Sequence, residues 1–346
     1  MKKQKYALNL LLILALTGFA LWFALKDNFH QVLKCISQMN LLSLVIVLLW
    51  GVLFTAVWGF VYYVLGRKYT DHYTPAKGIL VAFIGSFFSG ITPSSTGGQF
   101  VQAYIMKKQG IKVSDGASLL WADFIIYQTT MMIYVSILFL LRFAYYSAQS
   151  AWFNIILLGY IINAVVVVAL YTIALFPSIY IKLSRILVKV LTKLHVLKNP
   201  DKTLDSWTLQ VTSFTREIKV LAKDKKSILL CVCINVVRLS LYYSLPFVIA
   251  LALHIPLKMN EFIDVMALSS FVTMANSFIP IPGASGGTEV VFSLLFSGMM
   301  KNLTGAVLVL WRFSTYHIVL IIGGILFVFV KNHYERKESK INLEGM

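Results

Sequence analysis

Long apolar runs recur along this chain, and nothing else in it limits the fold as strongly. Ala7 to Leu25, Leu41 to Leu65, Ala117 to Leu141, Trp152 to Phe176, Ser227 to Leu253 and Leu303 to Val330 each approach or exceed the roughly 20 residues that cross a bilayer as a helix. Lipid offers no hydrogen bonds to bare backbone, so a spanning segment must satisfy its own. The expected fold class is all-α: a polytopic membrane protein with about six full transmembrane helices. Met1 to Lys5 is basic, so the first run is either a secretory signal peptide or an uncleaved span. No small-x-small cleavage site follows it, and we read a span. Phe29, Val32, Leu33 and Ile36 then mark one face of a short interfacial helix.

Two stretches interrupt apolar sequence from within. Gly78 to Gly90 is too short to cross, and is followed by Pro93 to Gly98 and then Gln99 to Ile105. Phe262 to Phe278 is followed by Pro280 to Gly287 and then Thr288 to Phe296. Paired short segments broken by Gly and Pro point to a transporter binding site. A tight loop at the membrane surface is the plainer alternative. The two breaks match each other. Thr92 to Val101 aligns with Ile281 to Val290 on the pattern Pro-x-x-[Ser/Thr]-Gly-Gly-x-x-Val, and the same register pairs Asp123 and Tyr127 with Arg312 and Tyr316. We read an internal repeat in a single integral membrane domain: repeat 1 over about 75–142 with a re-entrant loop at 92–98, and repeat 2 over about 262–330 with a re-entrant loop at 280–287.

Charge sets the expected topology. A net charge of +17 in a soluble chain would suggest nucleic acid. Here the basic residues flank spans, so anionic phospholipids are the expected partners and nucleic acid is not. Lys and Arg crowd the N-terminus, the flanks of the first break (Arg67, Lys68, Lys77; Lys107, Lys108, Lys112), the stretch from Pro177 to Lys226 and the tail. Only Lys26, Lys34, Arg142, Lys258 and Lys301 fall in loops assigned to the other side. By the positive-inside rule both termini are cytoplasmic in the cell membrane, and the two re-entrant hairpins enter from opposite faces as an inverted repeat. The stretch 179–226 reads as an amphipathic hairpin. Lys182, Arg185, Lys189 and Lys193 share one face, and Leu183, Leu187, Leu191 and Leu194 another. Trp207, Val211, Phe214, Ile218 and Leu221 mark its second helix. It either lies on anionic lipid or is a solvated connector.

Arg238, Arg312, Asp123 and Glu289 lie deep within membrane segments, where an unpaired charge costs roughly 2.5–3.5 kcal/mol. Asn235, Arg238 and Tyr242 form one stripe at helical spacing. Arg312 with Tyr316, and Asp123 with Tyr127, form two more. Either the acids each hold an arginine in a structural salt bridge, or these residues line a headgroup groove in which arginine takes a phosphate. The repeat places Asp123 and Arg312 at equivalent positions, so we expect them to neutralise one another near the pseudo-two-fold axis. The half-helices starting at Gly97–Gly98 and Gly286–Gly287 aim their N-termini at the midplane, which favours an anion there. Ser94, Ser95, Thr96, Ser285 and Thr288 are the expected caps. Glu289 in the first turn either satisfies that dipole or serves the groove. Gly283 completes the second turn.

The stretch Pro282-Gly283-Ala284-Ser285-Gly286-Gly287-Thr288-Glu289 resembles the Pro-Gly-Gly-x-Gly-x-x-Glu signature of the lysylphosphatidylglycerol synthase transmembrane-region family. Thr92 to Gly98 resembles its upstream Pro-x-x-x-Gly turn, which in many members is followed by Glu and then Arg; Gln99 and Gln102 stand in that vicinity here. In the fused members, the multiple peptide resistance factors, this region acts as a flippase for aminoacylated phosphatidylglycerol, and a separate soluble domain makes that lipid from aminoacyl-tRNA. The resemblance therefore implies a flippase-like phospholipid translocase for phosphatidylglycerol-type or aminoacylated phosphatidylglycerol lipids. The tail after Val330 is short, so no synthase domain is expected, nor transfer by this chain alone. A separate lipid-synthesising enzyme and homo-oligomerisation stay open as partners. Two alternatives stand beside this: a phosphatidylglycerol lysyltransferase, with lysylphosphatidylglycerol synthesis and resistance to cationic antimicrobial peptides, or a small-solute or ion carrier. No Walker sequence, His-Glu-x-x-His, Gly-x-Ser-x-Gly or cysteine–histidine cluster occurs, and no cofactor, metal or catalytic residue is expected.

Overall fold

A computed structural model describes residues 34, 37, 39–92, 97–141, 150–193, 197, 199–221, 223–276, 279 and 281–344. Ala7 to Leu25 and the short helix marked by Phe29, Val32, Leu33 and Ile36 lie outside the described residues. Among those described, all regular structure is helical, and the protein is an all-α polytopic membrane protein.

Long helices form where the apolar runs predict them. α1 (Leu41–Gly66) opens on Asn40, whose side chain accepts the Leu42 N–H at 3.0 Å. α2 (Pro75–Gly90) and α3 (Gly97–Lys108) are the two arms of the first broken segment, and α4 (Val113–Leu141) follows. α5 is Ser150–Leu175, α6 Pro177–Lys193, α7 Pro200–Leu221 and α8 Lys225–Ala252. α9 (Phe262–Asn276) and α10 (Gly287–Met300) flank the second break. α11 (Thr304–Arg312) runs through a π-helical turn, Phe313–His317, into α12 (Ile318–Glu344). α1, α4 and α8, the apolar core Ile156–Ile173 of α5, and the stretch reaching through α12 are long and apolar enough to span. That last stretch breaks at Lys301, whose φ of 49° ends α10.

The broken arms are shorter than a membrane. With 16 and 12 residues, α2 and α3 reach only about 24 and 18 Å, against a hydrocarbon core of about 30 Å. They cross closely because Gly98 presents no side chain: a Cβ there would meet Ser89 and the Gly85 carbonyl. α9 and α10 likewise pack on one another.

Two apolar clusters hold the bundle. Tyr62, Ile84, Ile105 and Met106 belong to one, which gathers α1, α2, α3, the first half of α4 and the first half of α8. Tyr243, Phe271, Phe292, Phe296 and Trp311 belong to the other, around the second hairpin with α4, α5, α8 and α11. α1 bridges the two, packed along α2 and α8. The Gly59–Gly78 crossing brings it against α2, and Trp50 donates to the Leu241 carbonyl of α8 at 2.8 Å. α6 and α7 form an amphipathic pair packed on one another. Ile179, Leu183, Ile186 and Val190 remain exposed along the outer face of α6.

Candidate functional site

The second break is built around Arg312. After α9 ends at Asn276, the chain curls through Gly283, Ala284 and Gly286, with φ of 60°, 50° and 90°. That curl turns the Gly283 carbonyl and the Ser285 hydroxyl toward the last residue of α11. Arg312 Nη2 donates to both, at 3.1 and 3.3 Å, and Nε donates to Glu289 Oε1 at 2.7 Å. The other Glu289 oxygen accepts the Gly286 N–H at 2.7 Å, so one carboxylate starts α10 and neutralises the arginine. Both partners are almost wholly buried. The π turn adds a residue to the helical winding directly after Arg312. Tyr316 thereby lies beneath the guanidinium, its ring centroid 4.6 Å away. Its hydroxyl donates to the Gly90 carbonyl at the end of α2.

A second arginine centre lies where α1, α4 and α8 meet. Arg238 on α8 is surrounded by aromatic faces: Trp58 at 4.4 Å, Tyr127 at 4.6 Å and Phe54 at 5.0 Å. Its Nη1 approaches Asn235 Oδ1 at 3.4 Å, and its Nε is buried without a hydrogen-bond partner among the described residues. The Trp58 indole N–H donates to Asp123 Oδ2 at 3.0 Å, while Asp123 Oδ1 is buried and meets no donor at hydrogen-bond distance among the described residues. Tyr62, which accepts from Gln102 at 2.8 Å, lies against the same carboxylate. Tyr127 and Tyr316, which the sequence alignment of the two breaks pairs, thus each carry an arginine on their ring at the same distance.

Several expectations change. Asp123 and Arg312 do not pair: Arg312 is taken by Glu289, and Asp123 makes no direct ion pair among the described residues. Arg312 instead meets the first turn of α10, because α10 and α11 are consecutive helices and the curl at Gly283 turns Glu289 toward the end of α11. The expected caps also change. Thr288 donates to Asn276 Oδ1 and the Ala284 carbonyl, and Ser285 accepts from Arg312, so neither caps α10. At α3 the Gly97 N–H is accepted by the Thr92 hydroxyl at 2.9 Å; Ser94, Ser95 and Thr96 lie outside the described residues. Gly98 and Gly287 sit in the first turns of their half-helices. Tyr242 contacts Phe54 of one centre and Trp311 beside the other, and stacks on no arginine among the described residues. Sequence reading missed Phe54 and Trp58, although two aromatics at helical spacing on one face of α1 were a visible signal. It also missed Gly90, which carried none.

A family model described as the lysylphosphatidylglycerol synthase TM region matches residues 7–323. A UPF0104 membrane protein of Archaeoglobus fulgidus is 24% identical over 325 residues, which cover 92% of this chain and 94% of that protein.

Proposed function

The chain belongs to the family of the lysylphosphatidylglycerol synthase TM region, and from that premise we propose that it is a phospholipid translocator. The headgroup of a phosphatidylglycerol-type or aminoacylated phosphatidylglycerol lipid passes between the two broken hairpins while its acyl chains stay in the bilayer. The hairpins re-enter from opposite membrane faces, and both termini are cytoplasmic. One contrast carries this reading. The Arg312–Glu289 pair is closed on itself: among the described residues its side-chain hydrogen bonds all run between Arg312 and the stretch from Gly283 to Glu289. The Arg238 centre is not: a cation and a carboxylate share one aromatic enclosure, and each keeps a buried polar atom with no hydrogen-bond partner among the described residues. A purely structural pair in that setting gains by closing. A phosphodiester suits the guanidinium and an aminoacyl ammonium suits Asp123, so the open pair matches a headgroup bearing both.

The test is fluorescent phosphatidylglycerol reconstituted into proteoliposomes, with chemical quenching of the outer leaflet. The protein should expose inner-leaflet probe far faster than empty vesicles, and Arg238→Ala should remove the effect. Equal rates with native protein and without it would end the translocator reading. Formation of lysylphosphatidylglycerol by the purified chain from charged tRNA would replace it with a transferase.

A further inference from the structure

α3 and α4 do not close along their length. A groove of about 530 Å³ runs between them. Its walls are Phe100, Ala103 and Tyr104 from α3 and Ala117, Leu120 and Trp121 from α4. Small residues hold the two helices close at its floor, where a Cβ on Gly116 would lie in ordinary contact with Met106 and Ala103. The larger side chains splay outward from that line. Phe100, at the break end, is 78% exposed. Gln99 stands beside it, and Lys107 at the far end contributes the groove's one charged lining group. Those two residues are eight positions apart on one helix, about 12 Å along its axis. That is most of one leaflet's share of a roughly 30 Å core.

We propose that this groove holds an acyl chain of an anionic glycerophospholipid, with the phosphate at Lys107. The chemistry is specific to an anionic amphiphile: apolar, partly aromatic walls with a single cation at one end. A polar solute would leave those walls unmatched, and a peptide would find almost no groups for its backbone. Lys108, stacked over the Tyr104 ring at 5.7 Å, adds positive charge at the same end. The groove extends from that basic end to Gln99 and Phe100 in the first turn of α3, so it gives a lipid lateral access to the start of that half-helix. The inference deepens the translocator reading and rests on it for the identity of the lipid.

The experiment reads retained lipid. The native chain, Ala117→Trp and Lys107→Gln are reconstituted in vesicles of equal parts phosphatidylglycerol and phosphatidylcholine. Each is then re-extracted in mild detergent and its bound lipid measured by mass spectrometry. Ala117 is exposed in the groove, so the indole should fill it and most retained phosphatidylglycerol should be lost at an unchanged unfolding temperature. Lys107→Gln should keep bound lipid but lower its preference for phosphatidylglycerol about fivefold, the effect of one basic residue near an anionic surface. If Ala117→Trp does not fold, Lys107→Gln decides alone. Unchanged retention and preference in the variants would overturn the proposal. So would a change of oligomeric state without loss of lipid, which would assign the groove to a second copy of the chain. Loss of retained lipid in the variants of a chain that moves no lipid would remove the translocator reading and leave the groove. Unchanged retention beside intact translocation would do the reverse.

Discussion

The Tyr316 hydroxyl donates to the Gly90 carbonyl at 3.0 Å, and this bond joins the frame of the second hairpin to the end of the first. Gly90 closes α2, where a helix leaves carbonyls without internal partners. Tyr316 comes from the π turn after Arg312, supports that guanidinium with its ring, and stands where a side chain on Gly283 would have to go. One side chain therefore contacts both breaks and the closed arginine centre between them.

Gly283→Ala tests that crowding. The residue has a φ of 60°, and its new methyl would meet the Tyr316 hydroxyl and ring. The left-handed backbone alone costs about 1–2 kcal/mol. The variant should unfold at lower temperature in detergent. Tyr316→Phe in the same background should recover part of the loss, because the hydroxyl is the first atom struck.

Glu289→Gln and Arg312→Gln should each destabilise by about 3–5 kcal/mol, since either leaves a buried charge without its partner. The double variant should be more stable than the sum of the two predicts, as read in a double-mutant cycle. Asp123→Asn combined with Arg312→Gln should be additive. Coupling in the second pair and none in the first would contradict the pairing described here.

Arg238→Ala should abolish translocation, and Arg238→Lys should restore little, because a compact ammonium replaces a planar fork that stacks on rings. Full transport by Arg238→Ala at normal expression would reduce the residue to a packing element.

Asp224 joins two elements outside the spans. Its carboxylate accepts the Ser227 N–H at 3.0 Å at the start of α8 and pairs with Lys68 at 2.8 Å. The Lys68 contact and then the Ser227 cap hold its pKa well below the usual carboxylate range. The group's folded pKa is depressed, so its stabilisation is complete above the unfolded value of about 3.9 and is lost as pH falls from there through the folded value. Asp224→Ala should cost about 1–2 kcal/mol at neutral pH, most of it from the cap because the ion pair is exposed. A thermal series from neutral to strongly acid pH should show the gap between native and variant closing only at the acid end.

Topology can be read by labelling cysteines placed at 77 and 107 in a cysteine-free background. Both should react from the cytoplasmic side. Labelling from opposite faces would make α2 and α3 a full crossing and remove the inverted repeat from the proposal.

The sequence by itself determined the class of structure and where its helices break. Apolar length leaves a membrane chain almost no choice but helix, and the glycine- and proline-rich stretch around Pro282, Gly283 and Gly286 breaks it through local backbone chemistry, with φ of 60° at Gly283 and 90° at Gly286. The internal match between the breaks and the four charges in apolar runs were equally legible, because composition and spacing are one-dimensional facts. Partnership was not. Asp123 and Arg312 looked complementary by register, yet Glu289 takes Arg312 because the curl at Gly283 turns it toward the end of α11. Arg238 finds its aromatic enclosure on α1 and α4, more than a hundred residues away in the chain, and Gly90 acquires a role only because Tyr316 arrives beside it. Such contacts depend on how whole helices cross, and crossing is set by the summed packing of surfaces such as the Gly59–Gly78 approach. No short stretch of sequence contains that sum, so only the tertiary structure decides which buried charge is closed and which stays open.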